Sequence, residues 1–179
     1  MPAPGVDAGR IIGCLRSHDV RFVVVGGFAM ELWDVAVQPT VDIDITPEMS
    51  IENLRRLARA LDELEAGVRV GSETIGVPGG WTAEMIGQMS VLNLNTAAGP
   101  LDLTILPAGT TGYLELIDDA SEIEYGDVLV PTASLQDVAR SKEAAGRAKD
   151  LMALPAIRAH LARMRRASGV SPGVNPPPR

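Results

Sequence analysis

The pattern that most constrains this chain is a β-branched run, a pair of glycines and a second apolar run that carries two aspartates. Residues 22–25 read Phe-Val-Val-Val and lead directly into Gly26-Gly27, which is typical of a strand that turns into a helix. Asp42 and Asp44 then alternate with Val and Ile. Residues i and i+2 of a strand point to the same face, so the two carboxylates are expected side by side, roughly 6 to 7 Å apart.

A third aspartate belongs to the same predicted group. Carboxylates as close as those of Asp42 and Asp44 repel each other unless a positive group lies between them. Asp102 lies between two leucines in a later predicted strand and leaves the face that they bury. If the two strands are neighbours, three carboxylates converge and bind one or two Mg²⁺ ions, or Mn²⁺, which commonly carry a phosphate substrate.

Length and composition predict one domain, or one domain with a small appendage, around an aliphatic core. Of the 179 residues, 46% are hydrophobic but only 3% are aromatic. Cys14 is the single cysteine, which excludes an intramolecular disulfide and fits a reducing compartment. The first residues lack a signal-peptide pattern, and no apolar run approaches the roughly 18 residues of a membrane span. We therefore expect a cytoplasmic protein with no membrane partner.

The charge is unevenly distributed along the chain. Residues 1–137 contain seven Lys and Arg against 21 Asp and Glu, a net charge of −14. Residues 138–179 contain nine against two, a net charge of +7. The basic segment fits a helix that docks on an acidic body, and it equally fits a platform for phosphates or nucleic acid.

Helices and strands interleave in the first part of the chain, and helices follow. The pattern predicts helices over residues 6–18, 28–33, 51–64, 111–117, 135–145 and 149–166. It predicts strands over residues 21–25, 39–46, 89–94 and 101–106, and a hairpin over residues 123–130. Residues 66–88 are rich in glycine and are interpreted as irregular, with one or two short strands. Pro155 predicts a kink or a break in the last helix.

This order of elements predicts an α/β (α+β) fold, with a mixed sheet flanked by helices and a C-terminal helical lobe. We expect the core in residues 1–132 and the helical lobe in residues 133–167. Four prolines in the last residues predict a disordered tail over residues 168–179.

Several residues near the predicted metal site are suited to phosphate binding. The backbone N–H groups at Gly26 and Gly27 can approach a phosphate closely because glycine has no side chain. Lys142 or Arg147 could reach a triphosphate from the helical lobe, although both are also ordinary solvated helix charges. Thr40 precedes the acidic pair and is either a plain strand residue or a hydroxyl beside the metal.

The spacing of these motifs resembles the nucleotidyltransferase superfamily of DNA polymerase β. The resemblance rests on Gly26-Gly27, Asp42-x-Asp44 and the later Asp102. Gly-Gly stands where the more usual family form has Gly-Ser, as in many minimal members. The resemblance implies the minimal nucleotidyltransferase fold, catalytic Mg²⁺ on the first two aspartates, and a third aspartate that is a further metal ligand or the base for the attacking hydroxyl.

The basic run of residues 141–150 resembles the Lys and Lys-Asp motifs of the AbiEii/MenT-type nucleotidyltransferases, the toxins of bacterial toxin–antitoxin pairs. The resemblance as a whole covers residues 20–160. It implies that Lys142 contacts the nucleotide phosphates and that Asp150 orients Lys142 or helps to close the site. Members of this group add nucleotides to tRNA 3′ ends and so stop translation, and some pair with an antitoxin encoded beside them.

The function implied is therefore transfer of a nucleoside monophosphate from a nucleoside triphosphate to an acceptor hydroxyl. The first acceptor is the 3′ end of tRNA, bound through the basic C-terminal helices, with a cognate antitoxin as partner. Gln38 and Val41 stand where family members often have basic residues, so the nucleotide is not specified. The alternatives are a protein or small-molecule acceptor such as an aminoglycoside, and a non-catalytic nucleotide-binding module.

Two other features have plain structural interpretations. His18 and His160 lie far apart in a chain with a single cysteine, so their spacing predicts no zinc site. Trp33 and Trp81 are interpreted as packing residues rather than platforms for base stacking.

Overall fold

A mixed sheet of eight strands forms the centre of the part of the protein that this computed structural model describes, residues 5–36 and 38–168. Its strands are β1 Phe22–Val25, β2 Ile43–Pro47, β3 Gly67–Val70, β4 Glu73–Ile75, β5 Val91–Thr96, β6 Gly99–Thr104, β7 Ser121–Tyr125 and β8 Val128–Thr132. The helices are α1 Ala8–Ser17, α2 Gly26–Leu32, α3 Ile51–Glu63, α4 Ala83–Gly87, α5 Tyr113–Asp118, α6 Leu135–Ala145 and α7 Ala148–Ala167.

The strands follow the order β4-β3-β5-β6-β2-β1-β8-β7 across the sheet. β2 lies near the centre, antiparallel to β1 and parallel to β6. The antiparallel pairs β3–β4 and β7–β8 form the two ends of the sheet. This mixed sheet, flanked by helices and followed by α6 and α7, confirms the predicted fold class.

The core is aliphatic, as the composition predicts. All four residues of β1 are buried, because a strand covered on both faces must be apolar throughout. Ile11 and Leu15 of α1 and Leu57 and Leu61 of α3 are fully buried. Helices that flank the sheet therefore present one apolar stripe to it and leave their charged residues outside.

Helix starts follow the side chains that cap them. Ser50 and Ser134 accept hydrogen bonds from the third residue of α3 and of α6, at the predicted positions. Thr82 caps α4 in the same way. The irregular interpretation of residues 66–88 is therefore wrong for this short helix, whereas β3 and β4 are the two short strands predicted there.

Two further expectations differ from the structure. β2 begins at Ile43, so Asp42 is not a strand residue. The hydroxyl of Thr40 donates to the main-chain oxygen of Asp42, and such a local bond competes with the sheet ladder. Helix α7 runs through Pro155 without a break. Pro155 has no N–H to donate to the carbonyl of Leu151. Because Leu151 is exposed, water can donate a hydrogen bond to that carbonyl instead.

Helices α6 and α7 together form the C-terminal helical part, with Val138, Leu154 and Ile157 buried. The domain boundary between residues 132 and 133 stays a prediction. Residues 169–179 of the predicted tail lie outside the described residues. In the described ranges, no helix combines the length and the apolar character needed to cross a membrane.

Candidate active site

Two of the three aspartates lie side by side on neighbouring strands. β2 and β6 run parallel, and their register places Asp44 directly beside Asp102. On its other side Asp44 pairs with Val25, the last residue of β1. The strand adjacency on which the predicted carboxylate group depended is therefore present.

Asp42 reaches the same place from the loop before β2. The hydroxyl of Thr40 donates to the main-chain oxygen of Asp42 at 2.9 Å and to its carboxylate at 3.2 Å. The Thr40 N–H donates to the carboxylate of Glu31 on α2. Hydrogen bonds from the loop, rather than the pleat of a strand, thus direct the Asp42 side chain. The expectation that it shares a strand face with Asp44 is wrong, although both line one cavity.

The two glycines leave room for these side chains. Gly26 has φ +65°, and a Cβ there would lie 2.3 Å from Oδ2 of Asp44. A Cβ on Gly27 would lie 2.9 Å from Oγ1 of Thr40. The turn into α2 therefore runs directly against the acidic group, where only glycine fits.

A cationic cluster faces the carboxylates from the C-terminal helices. Asp150 is 2% exposed and accepts from Nζ of Lys142 at 3.3 Å and from Nε of Arg147 at 2.6 Å. Burial raises the pKa of Asp150, but hydrogen bonds from Arg147 and Lys142 outweigh it and hold that pKa below its usual range. The ionised Asp150 thus fixes two cations at the junction of α6 and α7.

Two cavities meet at the aspartates. One, of about 290 Å³, extends over the Gly26-Gly27 turn and the loop of Asp42. It is bordered by all nine residues that the sequence selected, namely Gly26, Gly27, Thr40, Asp42, Asp44, Asp102, Lys142, Arg147 and Asp150. The other, of about 440 Å³, extends from Asp44 and Asp102 along β5 and α6. We refer to them as the turn cavity and the sheet cavity.

Solved structures share this arrangement of sheet and helices. The lincomycin-bound crystal structure of the lincosamide antibiotic adenylyltransferase LnuA matches with a TM-score of 0.60 and 15% identity, over 87% of this chain and 99% of LnuA. ANT(2″)-Ia in complex with adenylyl-2″-tobramycin matches with a TM-score of 0.55 and 13% identity, over 89% of this chain and 90% of ANT(2″)-Ia. The chain has the nucleotidyltransferase fold. No family model and no curated protein matches the sequence.

The nucleotidyltransferase fold here concentrates negative charge. Burial, and next the charges of Asp42 and Asp102, raise the pKa of Asp44 to about 7. Burial also raises the pKa of Asp102, against the opposing effect of Arg69. A divalent cation would relieve this repulsion, and carboxylate oxygens are the donors that Mg²⁺ and Mn²⁺ prefer. The residues therefore fit a metal of that class.

One residue of the site, Arg69, belongs to none of the sequence motifs. Arg69 on β3 reaches across β5, and its guanidinium lies 2.5 Å from Oδ1 of Asp102. The two side chains are 24% and 14% exposed. A signal was present, because Arg69 is the single Lys or Arg between residues 60 and 139. A lone cation in so acidic a stretch is expected to pair with a carboxylate.

Proposed function

We propose that the protein transfers a nucleoside monophosphate from a nucleoside triphosphate to an acceptor hydroxyl. The observation that carries the proposal is the Asp44–Asp102 register pair packed against the Gly26 turn. The acceptor oxygen forms a bond to the α-phosphorus, the bond from that phosphorus to the leaving oxygen breaks, and pyrophosphate departs. The acceptor proton goes to a base, for which Asp102 is the candidate.

The cation that the reaction needs would be held by Asp42, Asp44 and Asp102, with Mg²⁺ as the first choice and Mn²⁺ as a substitute. Such an ion, when bound, stabilises the negative charge on the attacking and leaving oxygens. Arg69 positions Asp102 through its ion pair. The charge of Arg69 opposes the burial that raises the pKa of Asp102, and so favours the ionised carboxylate that either role, base or metal ligand, requires.

The triphosphate fits the turn cavity. The turn at Gly26 and Gly27 begins α2, and backbone N–H groups at such a turn suit phosphate oxygens. Lys142 and Arg147 also border this cavity and bring positive charge. Asp150 holds both cations in place, which lowers the entropy that they lose when phosphate binds.

We propose a small molecule as the acceptor, bound in the sheet cavity. A cavity of about 440 Å³ is within the size range of small-molecule sites. Val91, Leu116 and Val138 give it apolar walls, and Asn93 and Thr110 supply polar groups. The acidic balance of residues 1–137 favours a cationic acceptor. LnuA and ANT(2″)-Ia, which share the fold, carry an antibiotic or its adenylyl product.

A specific observation also supports the tRNA 3′ end as a second candidate. The outer half of α7 exposes Arg158, Arg163, Arg165 and Arg166. Such a basic face can contact phosphates of RNA, and binding through it weakens steeply with added salt. If tRNA is the acceptor, the resemblance to AbiEii/MenT-type enzymes leads us to propose that the protein is a toxin and that a cognate antitoxin restrains it. Growth arrest on induced expression, relieved by Asp44→Ala, would support that role.

The acceptor is tested with α-labelled nucleoside triphosphates, Mg²⁺ and two sets of acceptors, total tRNA and a panel of cationic antibiotics. We expect label on a small molecule, and none with Asp44→Asn. Asp127→Asn, in an exposed hairpin turn, serves as the matched control and stays active. Label on tRNA alone would replace the small-molecule acceptor by the second candidate, and no transfer to either set would contradict both.

A further inference from the structure

Three side chains of types that can bind a metal meet between the C-terminal ends of helices α1 and α3, outside the site described above. Cys14 and His18 lie one helical turn apart, and Glu63 is the last residue of α3. Their ligand atoms all lie within 4.8 Å of one another. None of the three lines the turn cavity or the sheet cavity. The spacing of the histidines and the single cysteine predicts no zinc site, and Glu63, which that spacing leaves out, completes the group.

We propose that Cys14, His18 and Glu63 bind a zinc-class divalent cation. A thiolate, an imidazole and a carboxylate together form the donor set that Zn²⁺ accepts, with water as a fourth ligand. Mg²⁺ strongly prefers oxygen donors and is not expected there. The proposal does not depend on the nucleotidyltransferase activity.

The geometry requires only small side-chain movements. Nε2 of His18 and Oε2 of Glu63 are 2.7 Å apart, in direct contact. Donor atoms around a tetrahedral Zn²⁺ lie about 3.3 to 3.8 Å apart at ordinary bond lengths. The Glu63 side chain is 61% exposed and can move outward to that spacing. Cys14 is buried, and its thiol now contacts the main-chain oxygen of Ala60 at 3.6 Å, so the ion would sit at the inner edge of the helix pair.

Such an ion would clamp two segments that lead to the aspartates. Helix α1 precedes β1, whose end carries the Gly26 turn, and α3 follows β2, which carries Asp44. Burial raises the pKa of the Cys14 thiol to about 11, so binding must displace a proton. Because the ion would join α1 to α3, we expect a structural role. The ion would stabilise the folded state, and the aspartates would carry out the chemistry.

The test uses Co²⁺ as a spectroscopic substitute for Zn²⁺ on the tag-free full chain, with excess Mg²⁺ to occupy the aspartates. Cys14 is the single cysteine, so any thiolate-to-cobalt charge-transfer absorption must come from this site. We expect that absorption to saturate at one equivalent and to vanish when Zn²⁺ is added. Its absence in the wild type would overturn the proposal.

Two variants and a melting measurement complete the test. Glu63→Gln should bind at least about tenfold more weakly, whereas Glu65→Gln, an exposed neighbour, should bind as the wild type does. Cys14→Ser should lose the absorption, and Glu63→Gln decides the matter if that variant does not fold. Zn²⁺ at 100 times its Kd should raise Tm by about 5 °C or more. Equal affinity of Glu63→Gln and the wild type would overturn the proposal.

Discussion

At the scale of single residues, the site depends on a glycine that has no room for a side chain. In Gly26→Ala the new Cβ would meet the Asp44 carboxylate. We expect transfer to fall at least about 100-fold, since a displacement of about 1 Å at a reacting group has that effect. The left-handed backbone at this position costs about 1 to 2 kcal/mol of stability in addition.

Gly126 provides the matched control for that variant. It has φ +59°, close to the value at Gly26, but nothing lies within 4 Å of the Cβ position. Gly126→Ala should therefore lose similar stability and keep its activity. Equal activity of the two variants, measured at matched folded concentration, would show that the close approach to Asp44 does not matter.

The raised pKa of Asp44 predicts how stability depends on pH. Its pKa is about 7 in the folded protein against about 4 when unfolded, so the folded state binds more protons between those values. The free energy of unfolding then falls as pH rises from about 4 to about 7. We expect this in urea titrations of the metal-free protein, and a flatter profile in Asp44→Asn. Parallel profiles would contradict the raised pKa.

At the scale of elements, the junction of α6 and α7 is held by one buried carboxylate. Asp150→Ala leaves the cations of Lys142 and Arg147 without their shared partner. We expect a loss of about 3 kcal/mol in the free energy of unfolding, as for a broken buried ion pair. The exposed pair Glu143–Arg158 joins the same two helices. Glu143→Ala should lower the free energy of unfolding by less than about 1 kcal/mol. Similar losses in both variants would show that the buried Asp150 carboxylate does not hold the junction.

The ion pair between Arg69 on β3 and Asp102 on β6 gives a second prediction at this scale. The charge of Arg69 lowers the pKa of Asp102, so Arg69→Ala should raise it further. The acidic limb of the pH–rate profile should then move to higher pH and the rate should fall about tenfold or more. Arg69→Lys keeps the charge and should keep the limb near its wild-type position. An unchanged pH–rate profile in Arg69→Ala would show that Arg69 does not act on Asp102.

For the molecule as a whole, short-range sequence patterns predicted those features that short-range interactions determine. The Gly26-Gly27 turn, the strand of Asp44 and the capped start of α6 follow from short-range periodicity, sterics and capping. The adjacency of Asp44 and Asp102 could only be stated as a condition, because register between distant strands depends on how the whole sheet assembles. Alternation alone predicts a strand at Asp42, because it does not show that Thr40 bonds to the main chain of Asp42.

Contacts between distant residues were out of reach of the sequence patterns. The periodicity around Arg69 and around Glu63 does not show which residues they contact, because both contacts form only through tertiary packing. Helix α4 was missed although Thr82 offered a cap, because the surrounding glycines and prolines favour irregular structure. The acceptor likewise depends on the shape of the sheet cavity, which no motif encodes.

The central claim, transfer of the nucleotide rather than of the terminal phosphate, is tested most directly by following two labels in parallel. The acceptor that proves active is incubated with Mg²⁺ and with nucleoside triphosphate labelled on the α- or on the γ-phosphorus. We predict α-label on the acceptor, γ-label in pyrophosphate, and neither in Asp44→Asn. Label from the γ-phosphorus on the acceptor, or undiminished α-label transfer in Asp44→Asn, would contradict the proposed function.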